Sequence, residues 1–340
     1  MKTIADSSIK IQSISIMRVV AMFMIIFFHS FFFYSGNWWA LGGVSVPKWN
    51  RVAALLDIID LPMFMYISGY LFGYLFIYKE KYRDRYTFII SKAKRLLLPY
   101  LIWGIFQIII MPYIFDWKSI FTGSGHLWFL LALFGIFVIV ILFADLLFFK
   151  TSKRSFIVLL LSCIVVFVLF HLLSIHHSFL CIHSLLYYLP SFVIGIFFAR
   201  FIDMCTISTI YTLMVLIVAL FLLGCYIYSD IEQNYIFSYI CRLVLGWSII
   251  ISSHVLLSKI YFSDTSTYYL VISHFDKHSM GVYIFHQIVI NVFLQIHGVR
   301  SYLNSYYDVG PFAIFIVGFL GAWLLSYLFL HNKYLKWAIG

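Results

Sequence analysis

Arginine, histidine and aspartate are rare inside long apolar stretches, and in this chain a few of them stand where an acid–base or anion-binding site could be assembled. The first apolar stretch carries Arg18 and, eleven positions later, His29. At about 100° and 1.5 Å per residue, a helix returns the two to within about 20° of one direction and about 16 Å apart along its axis. An imidazole titrates near neutral pH and suits general-base work, and a guanidinium suits phosphate. An arginine near the centre of a membrane-crossing helix costs about 2.5–3.5 kcal/mol on insertion scales, so Arg18 calls for a partner or a wet cavity. The bland reading has Arg18 snorkelling to lipid phosphate and His29 packing in a helix contact. The residues alone leave both readings open.

Other side chains carry similar pairs of readings. Asp60, in DLPMFMYISGYLFG, either orients the His29 imidazole or is a solvated interfacial carboxylate. In the same segment Pro62 loosens the backbone, while Ser68, Gly69 and Gly73 let another helix come close. Lys92, Lys94 and Arg95, in SKAKRLLLPYLIW, suit phosphate groups and equally suit the basic residues that collect at cytoplasmic helix ends. His126, in TGSGHLWFL, either orients a hydroxyl-bearing substrate or lies at the surface beside an aromatic anchor. Arg242 shares the burial cost of Arg18 and faces either the outer part of the same cavity or the outer interface. His286, Gln287 and Asn291 read as a polar helix contact. His171, His176, His177 and His183 surround one break without acidic or cysteine ligands at zinc-like spacing, so no metal is expected. The five cysteines form no CxxC pair and read as packing residues.

The elements that must position these groups follow from composition. Of 340 residues, 64% are hydrophobic and 11% charged, with a mean hydropathy of +1.00, which makes hydrocarbon rather than water the main solvent. Backbone amides in hydrocarbon must pair internally, and the apolar runs are far longer than barrel strands. The expected fold class is therefore all-α: a polytopic bundle of about ten spans, near 12–34, 55–78, 96–115, 127–149, 155–174, 183–199, 208–228, 237–257, 278–297 and 311–331. Of 23 lysines and arginines, Lys48, Arg51, Lys118 and Arg300 fall on one side and Arg18 and Arg242 lie inside helices, leaving seventeen on the other. The positive-inside rule then puts both termini in the cytoplasm, and the same rule accounts for the net charge of +10 without nucleic acid. Trp38, Trp39, Trp117, Trp128 and Trp337 read as interfacial anchors. The N-terminal stretch reads as a retained helix and the chain as one membrane domain, with no appended soluble domain.

Taken in order, R-x(10)-H in the first helix, LPMFMYISGYLF, AKRLLLPYLIW, GHLWFL, YLPSFVIGIFFAR and GVYIFHQIVI resemble the blocks of the membrane-bound acyltransferase family 3 and span most of the chain. The resemblance implies a multi-pass protein of the cytoplasmic (inner) membrane. It would transfer an acyl group, commonly acetyl, from cytoplasmic acyl-CoA to a hydroxyl of a cell-envelope glycan or its lipid-linked precursor. It carries an essential arginine to Arg18, the catalytic histidine to His29, and a basic acyl-CoA contact to Lys94 and Arg95. Lysine stands at 94 where many relatives show arginine, and lysine lacks the bidentate fork.

On this reading acetyl-CoA is the donor, its phosphates held by Arg18, Arg95 and Lys94, and His29 is the base, with Asp60 or His126 orienting. An acetyl-histidine intermediate is the alternative route. Some relatives add an extracytoplasmic hydrolase-like domain; without one, this chain is expected to finish the transfer itself or hand the acyl group on. The competing class is a transporter or flippase for a glycan lipid, which needs no acyl donor. A sensor or scaffold gives no reason to bury Arg18 and His29 on one face.

Overall fold

In a medium without water, helices satisfy their own backbone. The computed structural model describes residues 2–36, 38, 43–78, 84–145, 152–173, 179–229, 234–260, 262–263 and 266–340, with side chains from residue 12 onward, and no strand occurs among them. The helices in chain order are α1 (Lys2–Phe32), α2 (Pro47–Asp57), α3 (Asp60–Tyr78), α4 (Arg85–Lys92), α5 (Leu98–Ile110), α6 (Ser119–Thr122), α7 (Trp128–Leu142), α8 (Lys153–Leu172), α9 (Ile182–Phe201), α10 (Thr209–Ile227), α11 (Tyr235–Leu257), α12 (Thr267–Gln295), α13 (Val299–Ser305) and α14 (Gly310–His331).

Among the described residues, nine segments are long and apolar enough to cross a membrane: Gln12–Ser35, Pro47–Tyr78, Arg85–Ile110, Gly125–Leu142, Lys153–Leu172, Phe179–Phe201, Thr209–Ile227, Tyr235–Leu257 and Gly310–His331. Helices α12 and α13, bent by 95° at a short break, make a tenth. Each expected span has its counterpart, but several boundaries move. The second begins at Pro47 rather than 55, because a turn at Ile58 and Ile59 divides it into α2 and α3. Pro62 lies in the first turn of α3, where a missing N–H costs no helical bond. The expected break at 79–95 is helical from Arg85; its first five residues lie outside the described residues. Helix α12 starts eleven residues before the expected 278, through the polar run HFDKH.

The chain forms two compact units, residues 1–64 with 203–328, and 65–202 with 329–340. In the first, α1 packs along α12 and α14. Phe27 stacks on Phe315 with centroids 3.8 Å apart, and Phe23 meets Phe275 and Phe319. Gly246 brings α11 against the turn between α2 and α3, where a Cβ would lie 2.6 Å from the Ile58 carbonyl oxygen. In the second unit α3 meets α9 backbone to backbone. A Cβ on Gly69 would stand 1.9 Å from the Phe192 carbonyl oxygen, and one on Gly195 would stand 2.2 Å from that of Tyr66. Phe72, Phe88, Phe137 and Phe192 fill the space beside this contact.

Candidate active site

The first unit joins α1 to α12 at successive levels. Arg18 Nη1 donates to Asp276 Oδ1 at 2.6 Å, and Ser15 Oγ donates to Asp276 Oδ2 at 2.9 Å. Eleven residues further along α1, His29 meets His286, which lies ten residues beyond Asp276 on α12. Both helices advance about 15–16 Å between these contacts, so they run parallel. Further along, Trp38 Nε1 donates to Asn291 Oδ1 at 3.1 Å, and the Trp38 ring stands perpendicular to the His29 imidazole. Trp38 is thus fully buried against the histidine rather than an interfacial anchor. Trp39 lies outside the described residues, whereas Trp117 and Trp337 are exposed.

Hydrogen-bond partners fix the tautomers of the two imidazoles. His29 Nδ1 lies 2.8 Å from the Ile25 carbonyl oxygen, and His286 Nδ1 lies 2.7 Å from that of Tyr283. A carbonyl only accepts, so both Nδ1 atoms carry hydrogen. In the neutral rings both Nε2 atoms then carry lone pairs. His286 Nε2, 3.3 Å from His29 Nδ1, accepts from the same N–H that faces Ile25. His29 Nδ1 is therefore engaged by α12 and by its own helix, and the lone pair of the neutral ring is on Nε2. His286, read from sequence as part of a polar helix contact, does make such a contact, and its partner is the candidate base.

The remaining expected residues fall into two groups. In the first unit, Asp60 is fully buried at the start of α3. One of its oxygens accepts from the Leu61 N–H at 2.5 Å and the other has no hydrogen-bond partner among the described residues, so none of the described hydrogen bonds of Asp60 reaches the His29 ring. Arg242 forms an ion pair with Asp57, at the end of α2, which gives a protein partner to an arginine read from the sequence as facing either the cavity or the outer interface. In the second unit, Lys94 and Arg95 are exposed on a π-helical turn, residues 93–97, that joins α4 to α5. His126 is buried just before α7. The backbone reaches it through Gly123 and Gly125, whose φ values of +104° and +51° favour glycine. Of the histidines around the break after α8, His171 and His183 approach with ring centroids 6.3 Å apart, and His176 and His177 lie outside the described residues.

Sequence reasoning reached Arg18 and His29 through their spacing but missed Asp276 and His286 as their partners. Asp276 fell in a stretch too polar to be counted as a span. The signal available was the charge balance: an arginine inside a membrane needs an acid, and few acids lie in or beside the apolar segments.

Fold and site together define a multi-pass α-helical membrane protein with an oriented imidazole and an ion-paired arginine on one helix. The acyltransferase family 3 profile, an acyltransferase domain, matches residues 11–331, and the chain belongs to that family of membrane acyltransferases. No curated protein and no solved structure matched it.

Proposed function

We propose that this protein O-acetylates a cell-envelope glycan or its lipid-linked precursor in the cytoplasmic membrane, taking acetyl from cytoplasmic acetyl-CoA. The observation that carries the reading is the fixed tautomer of His29, which puts a lone pair on Nε2. That nitrogen takes the proton of the acceptor hydroxyl as its oxygen bonds to the thioester carbonyl carbon. The C–S bond then breaks and the proton passes to the departing thiolate. A neutral imidazole with one nitrogen already committed is suited to this, because it presents a single basic atom in a fixed direction.

Arg18 serves the donor phosphates; Lys94 and Arg95, which the resemblance gives as acyl-CoA contacts, are basic side chains of the second unit. The partnered guanidinium retains N–H groups for an anion, and the side chains of Lys94 and Arg95 reach the surface. Asp60 and Arg242 in the first unit and, separately, His126 in the second are the polar groups suited to an acceptor hydroxyl. The family membership favours group transfer over a transporter or flippase, which has no use for an acyl donor.

The test is His29→Ala, followed by mass spectrometry of envelope glycans at matched protein level. Loss of acetylation is expected. Undiminished acetylation overturns the proposal.

A further inference from the structure

Among the described residues, Asp276 is the acidic group that pairs with Arg18, and the form of that contact matters. Its two carboxylate oxygens are both engaged from α1, one by Arg18 Nη1 and one by Ser15 Oγ, three residues earlier on the same helix face. The carboxylate is thereby held at both ends. The guanidinium is held at one nitrogen only: of its five N–H groups, one is used and the other four have no partner among the described residues. A purely structural pair would gain more from the two parallel bonds of a fork-to-fork contact. The arginine side chain also remains more exposed than its partner, 26% against 17%.

We propose that Asp276 is a positioning residue for Arg18. It clamps one edge of the guanidinium so that the other is presented to an anion, here a phosphate of the acyl donor. The inference rests on the donor assigned above. It adds a division of labour along α12, in which Asp276 directs the anion contact and His286, ten residues on, directs the base. An unclamped arginine would have to give up side-chain freedom each time it gripped a phosphate, whereas a clamped one has already done so. The negative charge of Asp276 also offsets that of Arg18, so the site selects by direction of its donors rather than by net charge.

The experiment compares acetyl-CoA with acetyl-pantetheine, which carries the same thioester and no phosphate. Purified full-length protein is assayed for kcat/KM with each donor, and acetyl-CoA binding is measured by calorimetry. In Asp276→Ala the preference for acetyl-CoA over acetyl-pantetheine is expected to fall about tenfold, the size of one charge-assisted hydrogen bond. Asp276→Glu should recover part of it, and Ser15→Ala should shift it in the same direction by less. Asp276→Asn, which keeps the volume, guards against simple misfolding and should also lower the preference. If D276A and D276N bind acetyl-CoA as wild type does, or lose both donors in equal proportion, the positioning role is overturned while the donor assignment stands. A wild-type protein that does not bind acetyl-CoA overturns the donor assignment and this inference with it.

Discussion

Two helix pairs in this molecule solve the same problem in opposite ways. Helices α1 and α12 meet through polar side chains, Arg18 with Asp276 and His29 with His286. Helices α3 and α9 meet through Gly69 and Gly195, which let main chains touch. Without a hydrophobic driving force in lipid, packing and interhelical hydrogen bonds are the available glues. The glycine contact is dense and chemically silent. The polar contact costs desolvation, so its presence on the helix that carries the candidate base argues that those groups are kept for what they do.

The largest effect is expected where the silent contact is broken. Gly195→Leu forces a side chain into the Tyr66 carbonyl, and even overpacking by a few carbons costs about 1–3 kcal/mol. The expected outcome is a marked fall in thermal midpoint and in folded yield, with turnover per folded molecule close to wild type. Breaking the polar contact should do the reverse. His286→Leu removes the acceptor from His29 Nδ1 and should lower kcat by about tenfold with little change in midpoint, and His286→Gln, which supplies an acceptor oxygen, should restore part of the rate. If H286L lowered only the midpoint, the two pairs would not differ in kind.

A third pair sharpens the contrast. Arg242 and Asp57 are joined across α11 and α2, so Arg242→Leu leaves a half-buried carboxylate alone. The midpoint of R242L should fall by several degrees, and the double variant D57L/R242L should regain part of the loss, since it removes the carboxylate that R242L leaves without its guanidinium. Full additivity of the two losses would mean that the pair is not coupled.

The smallest effect lies outside the spans. Asp84 caps α4, and its carboxyl is held below the usual range chiefly by the Thr87 hydroxyl. A depressed folded value means that the cap is in place at neutral pH and is lost only as pH falls through that value. The opening fraction at Tyr86 and Phe88, from amide exchange divided by the intrinsic rate at each pH, should therefore be unchanged from pH 8 to 6 and larger near pH 3. Asp84→Ala should show that larger fraction at every pH.

The sequence made the spans legible because each is a run of apolar residues long enough to cross, and the eleven-residue interval put Arg18 and His29 on one face. Helix α2 was hidden by the polar residues of PKWNRVAALLD, and the first turns of α12 by HFDKH. The partners were hidden for a different reason. Asp276 lies 258 positions from Arg18, His286 lies 257 from His29, and Asp57 lies 185 from Arg242. Periodicity orients a helix about its own axis and says nothing about which other helix it faces. Asp60 shows the limit from the other side, since its sequence position suggested a role toward His29 that its hydrogen bonding does not serve.

One consequence concerns the order of events. With His29 Nδ1 committed to Ile25 and His286, a base at Nε2 has a single docking point for the proton, which must leave by the way it came. If Nε2 acts as a base and not as a nucleophile, donor and acceptor are both seated before any bond changes. Initial-rate plots against one substrate at fixed levels of the other should intersect rather than run parallel, and protein mixed with acetyl-CoA alone should gain no acetyl mass.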